Sequence, residues 1–147
     1  VTIQIREERV SRNSSVVAGI PGVRKLMRSM QRSLGEDGGI VMEGRDITTN
    51  VFPDADFKVY LDASIEERAK RRTKQLRQQG KAADFEEIEA AILKRDMGDL
   101  KRKINPLRQA EDAIFIDSTV LTLHQVARSI IDLIRLRAGG RERAAKA

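Results

Sequence analysis

Three short apolar runs alternate with helical patterns, and that alternation is the strongest constraint on what these 147 residues can fold into. The runs are GIVME at 39–43, FKVYLDA at 57–63 and AIFIDS at 113–118. Each is brief, apolar and followed by polar residues, the pattern of a buried strand. Helix-start signals fall between and after them. Ser64 with Glu67 and Thr122 with Gln125 form capping boxes, and Asp84 with Glu87 is a weaker version. Pro106 is expected to close the long central helix, and Gly139 with Gly140 the last one. Ahead of the first run, residues 14–18 and 23–34 read as two helical pieces broken at Pro21 and Gly22. Strands separated by helices predict an α/β fold, a parallel sheet covered by helices. Such sheets bind ligands beyond the carboxyl ends of their strands. The residues that matter most are therefore Gly44, Arg45 and Asp46 after the first run, 62–64 after the second and 117–119 after the third.

Composition narrows the chemistry. The length fits one domain, and 40% hydrophobic with 34% charged residues is enough to bury a core. There is no cysteine, which excludes disulfides, thiolate metal sites and a cysteine nucleophile. Aromatics are 3% with no tryptophan, a poor supply of base-stacking platforms. No apolar run reaches the ~18 residues of a membrane span, and no secretory segment is visible. A cytoplasmic setting is the expectation. The balance of 28 Lys+Arg against 22 Asp+Glu gives +6, which suits an anionic partner such as a nucleotide, a nucleic acid or an acidic lipid. The excess concentrates in 68–81 and from Arg135 onward.

Charge also intrudes on helix faces that should be apolar. In the central helix Phe85, Ile88, Ala91 and Ile92 share a face, and the same stripe continues onto Arg95, Asp99 and Arg102. A buried charge costs several kcal/mol unless paired, so this face either ends at the surface with an Arg95–Asp99 bridge or looks into a polar pocket. In SIEERAKRRTKQLRQQG, Ile65, Ala69 and Leu76 define an inner stripe that takes in Arg68 and Arg72, with Arg71 on its flank. That cluster is either a polyphosphate clamp or a solvated basic face. EGRD at 43–46 places a guanidinium and a carboxylate at a strand end, where Arg45 is either a phosphate fork or a turn residue. Ser15 is a helix-cap candidate, and Arg24 alone is uninformative. His124 has no neighbour at metal-ligand spacing and reads as structural. Asp62, Asp112 and Asp117 could meet Mg²⁺ through water, without specificity. No G-x-x-x-x-G-K-[ST] occurs anywhere, and no protein metal site is expected.

Taken together, EGRDITTNVFPDADFKVYLDASIEERAKRR and RDMGDLKRKINPLRQAEDAIFIDST resemble the cytidylate kinases. The resemblance runs from about Val10 to about Ile134. G-R-D, F-P-D-A, E-E-R-A-x-R-R, R-D-x-x-D-x-x-R-x-x-x-P-L and A-x-D-A stand in family order. It implies a P-loop nucleoside monophosphate kinase fold that phosphorylates CMP or dCMP with ATP and Mg²⁺, in a monomer that binds neither nucleic acid nor membrane. By the same resemblance Ser15, Arg24 and Asp46 read the cytosine. Arg45 and Arg102 hold the acceptor phosphate, Arg95 and Asp99 face the nucleoside, and Asp99 meets the ribose hydroxyls. Arg68, Arg71 and Arg72 form the lid over ATP, and Arg71, Arg72 and Arg102 act on the transferring group.

Two departures qualify the likeness. The family's D-G-R-D-x-G-T is E-G-R-D-I-T-T here, so Glu43 and Thr48-Thr49 stand for its Asp and Gly-Thr, and contacts from the loop after Asp46 depart from the family's. The family's opening strand, P-loop and following helix are also not seen, and VTIQIREERV falls near the end of its nucleotide-binding insert. Residues 1–35 correspond to the end of that insert and the helices after it, 36–137 to the core sheet, lid and C-terminal helices, and 138–147 to a charged tail. In the family strand order 2-3-1-4-5 the P-loop strand sits centrally, so an incomplete sheet of low stability and no kinase turnover by these residues alone are expected. A basic, non-catalytic module that binds nucleic acid or nucleotide is the alternative.

Overall fold

Local chemistry sets the element boundaries in the computed structural model, which describes residues 4, 8–101 and 106–144. The first two helices are α1, Glu8–Val17, and α2, Pro21–Ser33. Pro21 breaks the chain between them by starting α2, where its missing N–H is no loss. A turn of π-helix covers Ile47–Val51, and strand β1 covers Val59–Asp62. Ser64 Oγ accepts from the Glu67 amide at 3.2 Å and opens α3, Ile65–Gln78. Gly80, with φ of +72°, ends it, and the Lys81 amide reaches back to the Leu76 carbonyl at 3.1 Å. Asp84 Oδ1 accepts from the Glu87 amide at 2.9 Å ahead of α4, Phe85–Leu100.

Strand β2, Ile114–Asp117, precedes α5, Leu123–Ala144. The α5 capping box is reciprocal, with Gln125 N to Thr122 Oγ1 at 3.3 Å and Thr122 N to Gln125 Oε1 at 2.8 Å. It continues through Gly139 and Gly140, which were expected to stop it. Glycine in a helix costs about 1 kcal/mol, which weakens a helix without obliging it to end.

Strands β1 and β2 pair in parallel, Val59 opposite Ile114 and Asp62 opposite Asp117. The crossover between them carries α3 and α4, as parallel pairing requires. Tyr60 and Phe115 stack across the pair with ring centroids 6.1 Å apart. The third expected strand, 39–43, is not one. No described residue offers it a ladder, and Val41 is fully exposed at 101%. Apolar residues favour strands only where a partner completes the backbone hydrogen bonds.

The chain divides into two compact units. Unit one is Val1–Asp54 with Lys94–Arg108, and unit two is Ala55–Leu93 with Gln109–Ala147. Unit one buries Ile47, Val51 and Asp99, and unit two buries Ala63, Ala69, Ala113, Ile116 and Val126. Unit two also buries Lys58, whose Nζ lies 2.7 Å from Asp112 Oδ2. An ammonium withdrawn from water needs such a partner. The bond from Lys58 holds the Asp112 carboxyl below its usual range. A carboxylate with a depressed folded-state pKa stabilises above its unfolded value of about 3.9 and loses that contribution as pH falls through the lower folded value. Asp112→Asn is therefore expected to lower the urea midpoint at pH 7, with the gap to the parent closing below about pH 4. A gap that stays constant down to pH 3 would refute the linkage.

Candidate functional site

Unit one assembles its polar site around EGRD. Gly44 is required there because a Cβ would lie 2.7 Å from Ile47 Cγ1, and Ile47 is itself buried. Gly44→Ala is expected to cost about 1–3 kcal/mol by overpacking, read as a lower urea midpoint. Beyond the glycine, two ion pairs diverge. Arg45 Nη1 lies 3.0 Å from Asp96 Oδ1 and 2.5 Å from Asp99 Oδ2. Arg24 Nη2 pairs with Asp46 Oδ2, and its Nη1 donates to the Ala18 carbonyl at 3.2 Å. Asn50 Nδ2 donates to the same Asp46 oxygen at 3.2 Å, and Arg28 Nη1 donates to Asn50 Oδ1 at 3.0 Å. Arg32 completes the row, donating to the Val51 and Asn50 carbonyls at 2.9 Å. Arg24, Arg28 and Arg32 stand four residues apart on α2, so one helix face holds the whole 46–51 turn.

Burial identifies the centre of this arrangement. Among the described residues the largest fully buried side chain is not apolar: it is Asp99, 1% exposed. The inward stripe of α4 reaches Asp96 and Asp99, while Arg95 is exposed, contrary to its expected place on that stripe. Residues 95 and 96 both lie one turn beyond Ile92, and the Arg45 guanidinium selects the carboxylate. The Arg95–Asp99 surface bridge is likewise replaced by the pair from Asp99 to Arg45. Arg102 lies outside the described residues, and Ser15 is in α1 with its side chain outside them.

Unit two concentrates its polar groups at the carboxyl ends of β1 and β2. Ser118 is buried, and its amide and hydroxyl both donate to the Asp62 carbonyl, at 2.7 and 2.9 Å. Thr119 Oγ1 donates to Asp117 Oδ1 at 2.5 Å and accepts from the Ser64 amide at 2.9 Å. The Thr119 hydroxyl and amide together hold the Asp117 carboxyl below its usual range. Arg71 ties α3 to this end, with Nη2 to the Ser118 carbonyl at 2.6 Å and Nε to Glu67 Oε1 at 2.9 Å. Arg68 Nε donates to the Ala63 carbonyl at 3.0 Å, and Arg72 Nη1 to Gln75 Oε1 at 2.7 Å. Arg68 and Arg72 are half-buried, as the inner stripe predicted, and Arg71 is more open.

Three guanidinium groups on one helix suit a polyphosphate. Among the described residues no group of three or more His, Asp or Glu side chains could hold a metal ion. Of the carboxylates named from the sequence, Asp112 is held by Lys58, Asp117 by Thr119, and Asp62 by the Ala63 amide. Sequence reasoning missed Asp96, Arg28, Asn50 and Lys58. The four-residue spacing of Arg24, Arg28 and Arg32 puts them on one face of α2 but does not say what that face holds.

Comparison with known proteins is decisive at the level of family. The sequence matches the family described as cytidylate kinase over residues 1–136. The chain belongs to the cytidylate kinase family. It is 46% identical over 134 residues to the cytidylate kinase of Bacillus velezensis, a match covering 91% of this chain and 60% of that protein. The cytidylate kinase of Acholeplasma laidlawii is also 46% identical, over 136 residues, 92% of this chain and 61% of that protein. A bifunctional pantoate ligase/cytidylate kinase of Synechococcus sp. is 50% identical over 135 residues, 92% of this chain and 25% of that protein. The chain thus spans about three fifths of the cytidylate kinases and a quarter of the bifunctional protein. The parallel pair β1–β2 with its helices is compatible with the α/β nucleoside monophosphate kinase fold of the family. No helix among the described residues is long and apolar enough to cross a membrane.

Proposed function

We propose that this chain supplies the acceptor-binding and lid residues of a cytidylate kinase, which transfers the γ-phosphate of ATP to CMP or dCMP. The observation that carries this reading is the assembly in unit one of two ion pairs, Arg24–Asp46 and Arg45–Asp99, from residues far apart in sequence. In this reading they supply the groups a cytidine monophosphate needs. A carboxylate accepts from the cytosine amino group, a guanidinium binds phosphate, and a second carboxylate accepts from the ribose hydroxyls. Ser15 joins Arg24 and Asp46 on the base, Arg102 joins Arg45 on the phosphate, and Arg95 with Asp99 faces the nucleoside. Arg68, Arg71 and Arg72 neutralise charge on the transferring phosphoryl group. ATP and its Mg²⁺ would be carried mainly by the family's P-loop, and the ion, when bound, would offset the charge of the ATP phosphates. Catalysis in this reading is positioning and charge neutralisation, without a side-chain base.

We further read residues 1–35 as the end of the nucleotide-binding insert with the helices after it, 36–137 as core and lid, and the whole as a cytoplasmic monomer. Without a P-loop lysine and its backbone cradle, the 147-residue chain by itself is expected to bind CMP but not turn over ATP. Calorimetric titration at fixed salt tests the function. CMP is expected to bind in preference to UMP and AMP, with Arg45→Ala weakening it. Binding that ignores the base and falls steeply with salt, as counterion release dictates, would instead establish the basic nucleic-acid module.

A further inference from the structure

Asp46 does not stand alone. Among the described residues its two side-chain contacts, from Arg24 Nη2 and Asn50 Nδ2, fall on Oδ2, and neither takes Oδ1. A carboxylate clamped through one oxygen presents the other in a fixed direction. An ion pair alone fixes it poorly, because a guanidinium can slide between the two oxygens. The second donor removes that freedom.

Asn50 can donate only if its amide is turned the right way. Its Nδ2 faces the Asp46 carboxylate and its Oδ1 faces Arg28 Nη1 at 3.0 Å. Reversed, the amide would set an acceptor against a carboxylate and a donor against a guanidinium, so both contacts would become repulsive. Arg28 therefore decides which way Asn50 points, and Asn50 decides which way Asp46 points. Arg32 fixes the backbone of the same residue through the Asn50 carbonyl at 2.9 Å.

We infer that Asn50, oriented by Arg28, is a positioning residue for base selection, holding Asp46 so that Oδ1 accepts from the amino group of a cytosine. This rests on the reading of Asp46 as the base-facing carboxylate. Neither Asn50 nor Arg28 need touch the nucleotide. The selection follows from ring position 4, an amino donor in CMP and a carbonyl acceptor in UMP. An Asp46 carboxylate fixed in direction rewards the first and repels the second, whereas a mobile one turns away from the repulsion. Loss of Asn50 should therefore erode discrimination rather than binding in general.

The test is calorimetric titration of the 147-residue chain and its variants with CMP and with UMP. Asn50→Leu is expected to lower the CMP preference about 10-fold, with the CMP Kd rising and the UMP Kd falling as the repulsion is relieved, on the scale of one hydrogen bond to a charged group. Arg28→Met is expected to lower it about 3-fold, and Arg28→Lys, which keeps a donor to Asn50 Oδ1, to restore it. Equal weakening of both nucleotides, or an unchanged ratio in both Asn50→Leu and Arg28→Met, overturns the inference and leaves the cytidylate reading intact. No preference for CMP in the parent chain overturns both. Should circular dichroism show Asn50→Leu to be unfolded, the contrast between Arg28→Met and Arg28→Lys decides the matter alone.

Discussion

Asp99→Asn is expected to destabilise the protein by about 2–4 kcal/mol. Removing one member of a buried ion pair typically costs 3–5 kcal/mol, because the remaining charge is left in a poor solvent. Here the figure is discounted because the Arg45 side chain is 34% exposed and retains Asp96. Urea unfolding should show a lower midpoint at an unchanged slope. The double variant Arg45→Met/Asp99→Leu should recover much of the loss, since it removes both charges and keeps apolar volume in their place. An unchanged midpoint for Asp99→Asn would show that its burial carries no electrostatic cost. The same substitution bears on ligand binding. If Asp99 also meets the ribose, as proposed above, its substitution touches stability and affinity together.

Asp46→Ala is expected to raise the CMP Kd about 10- to 100-fold. On the proposed reading the change removes an acceptor for the base, and hydrogen bonds to charged groups contribute roughly 1.5–3 kcal/mol. It also leaves Arg24, with its side chain 13% exposed, without its carboxylate, so a fall in thermal stability should accompany the loss of affinity. Titration with UMP separates the two effects. Damage confined to folding lowers both affinities alike, whereas loss of base contact falls on CMP. A CMP affinity within threefold of the parent would remove Asp46 from the base-binding role.

Elements that a few neighbouring residues determine were legible in the sequence. The cap pairs at Ser64, Asp84 and Thr122 are satisfied within three residues, and each helix begins where its cap predicts. The runs at 57–63 and 113–118 also became strands, having one another as partners. Residues 39–43 carry the same apolar signal without a ladder among the described residues, and composition alone does not supply one. On α4 the error is a single residue. Arg95 and Asp96 are 100° apart around the axis, and Arg45, fifty-one residues from Asp96, decides between them. Asn50 and Arg28 were invisible for the same reason. An amide in a turn and an arginine on a basic helix acquire meaning only through the contact between them.

The grip of α2 on the 46–51 turn has an evolutionary consequence. Arg32 holds that turn through the carbonyls of Asn50 and Val51, groups that every residue possesses. A hold of this kind is blind to the side chains it restrains. Thr49 is exposed and Thr48 half-buried within the turn, so substitution at either is expected to leave the backbone path in place. On the proposed reading, Asp46 and Asn50 stand on a turn whose backbone Arg32 holds independently of them, so substitution at either changes base preference while that hold on the turn remains.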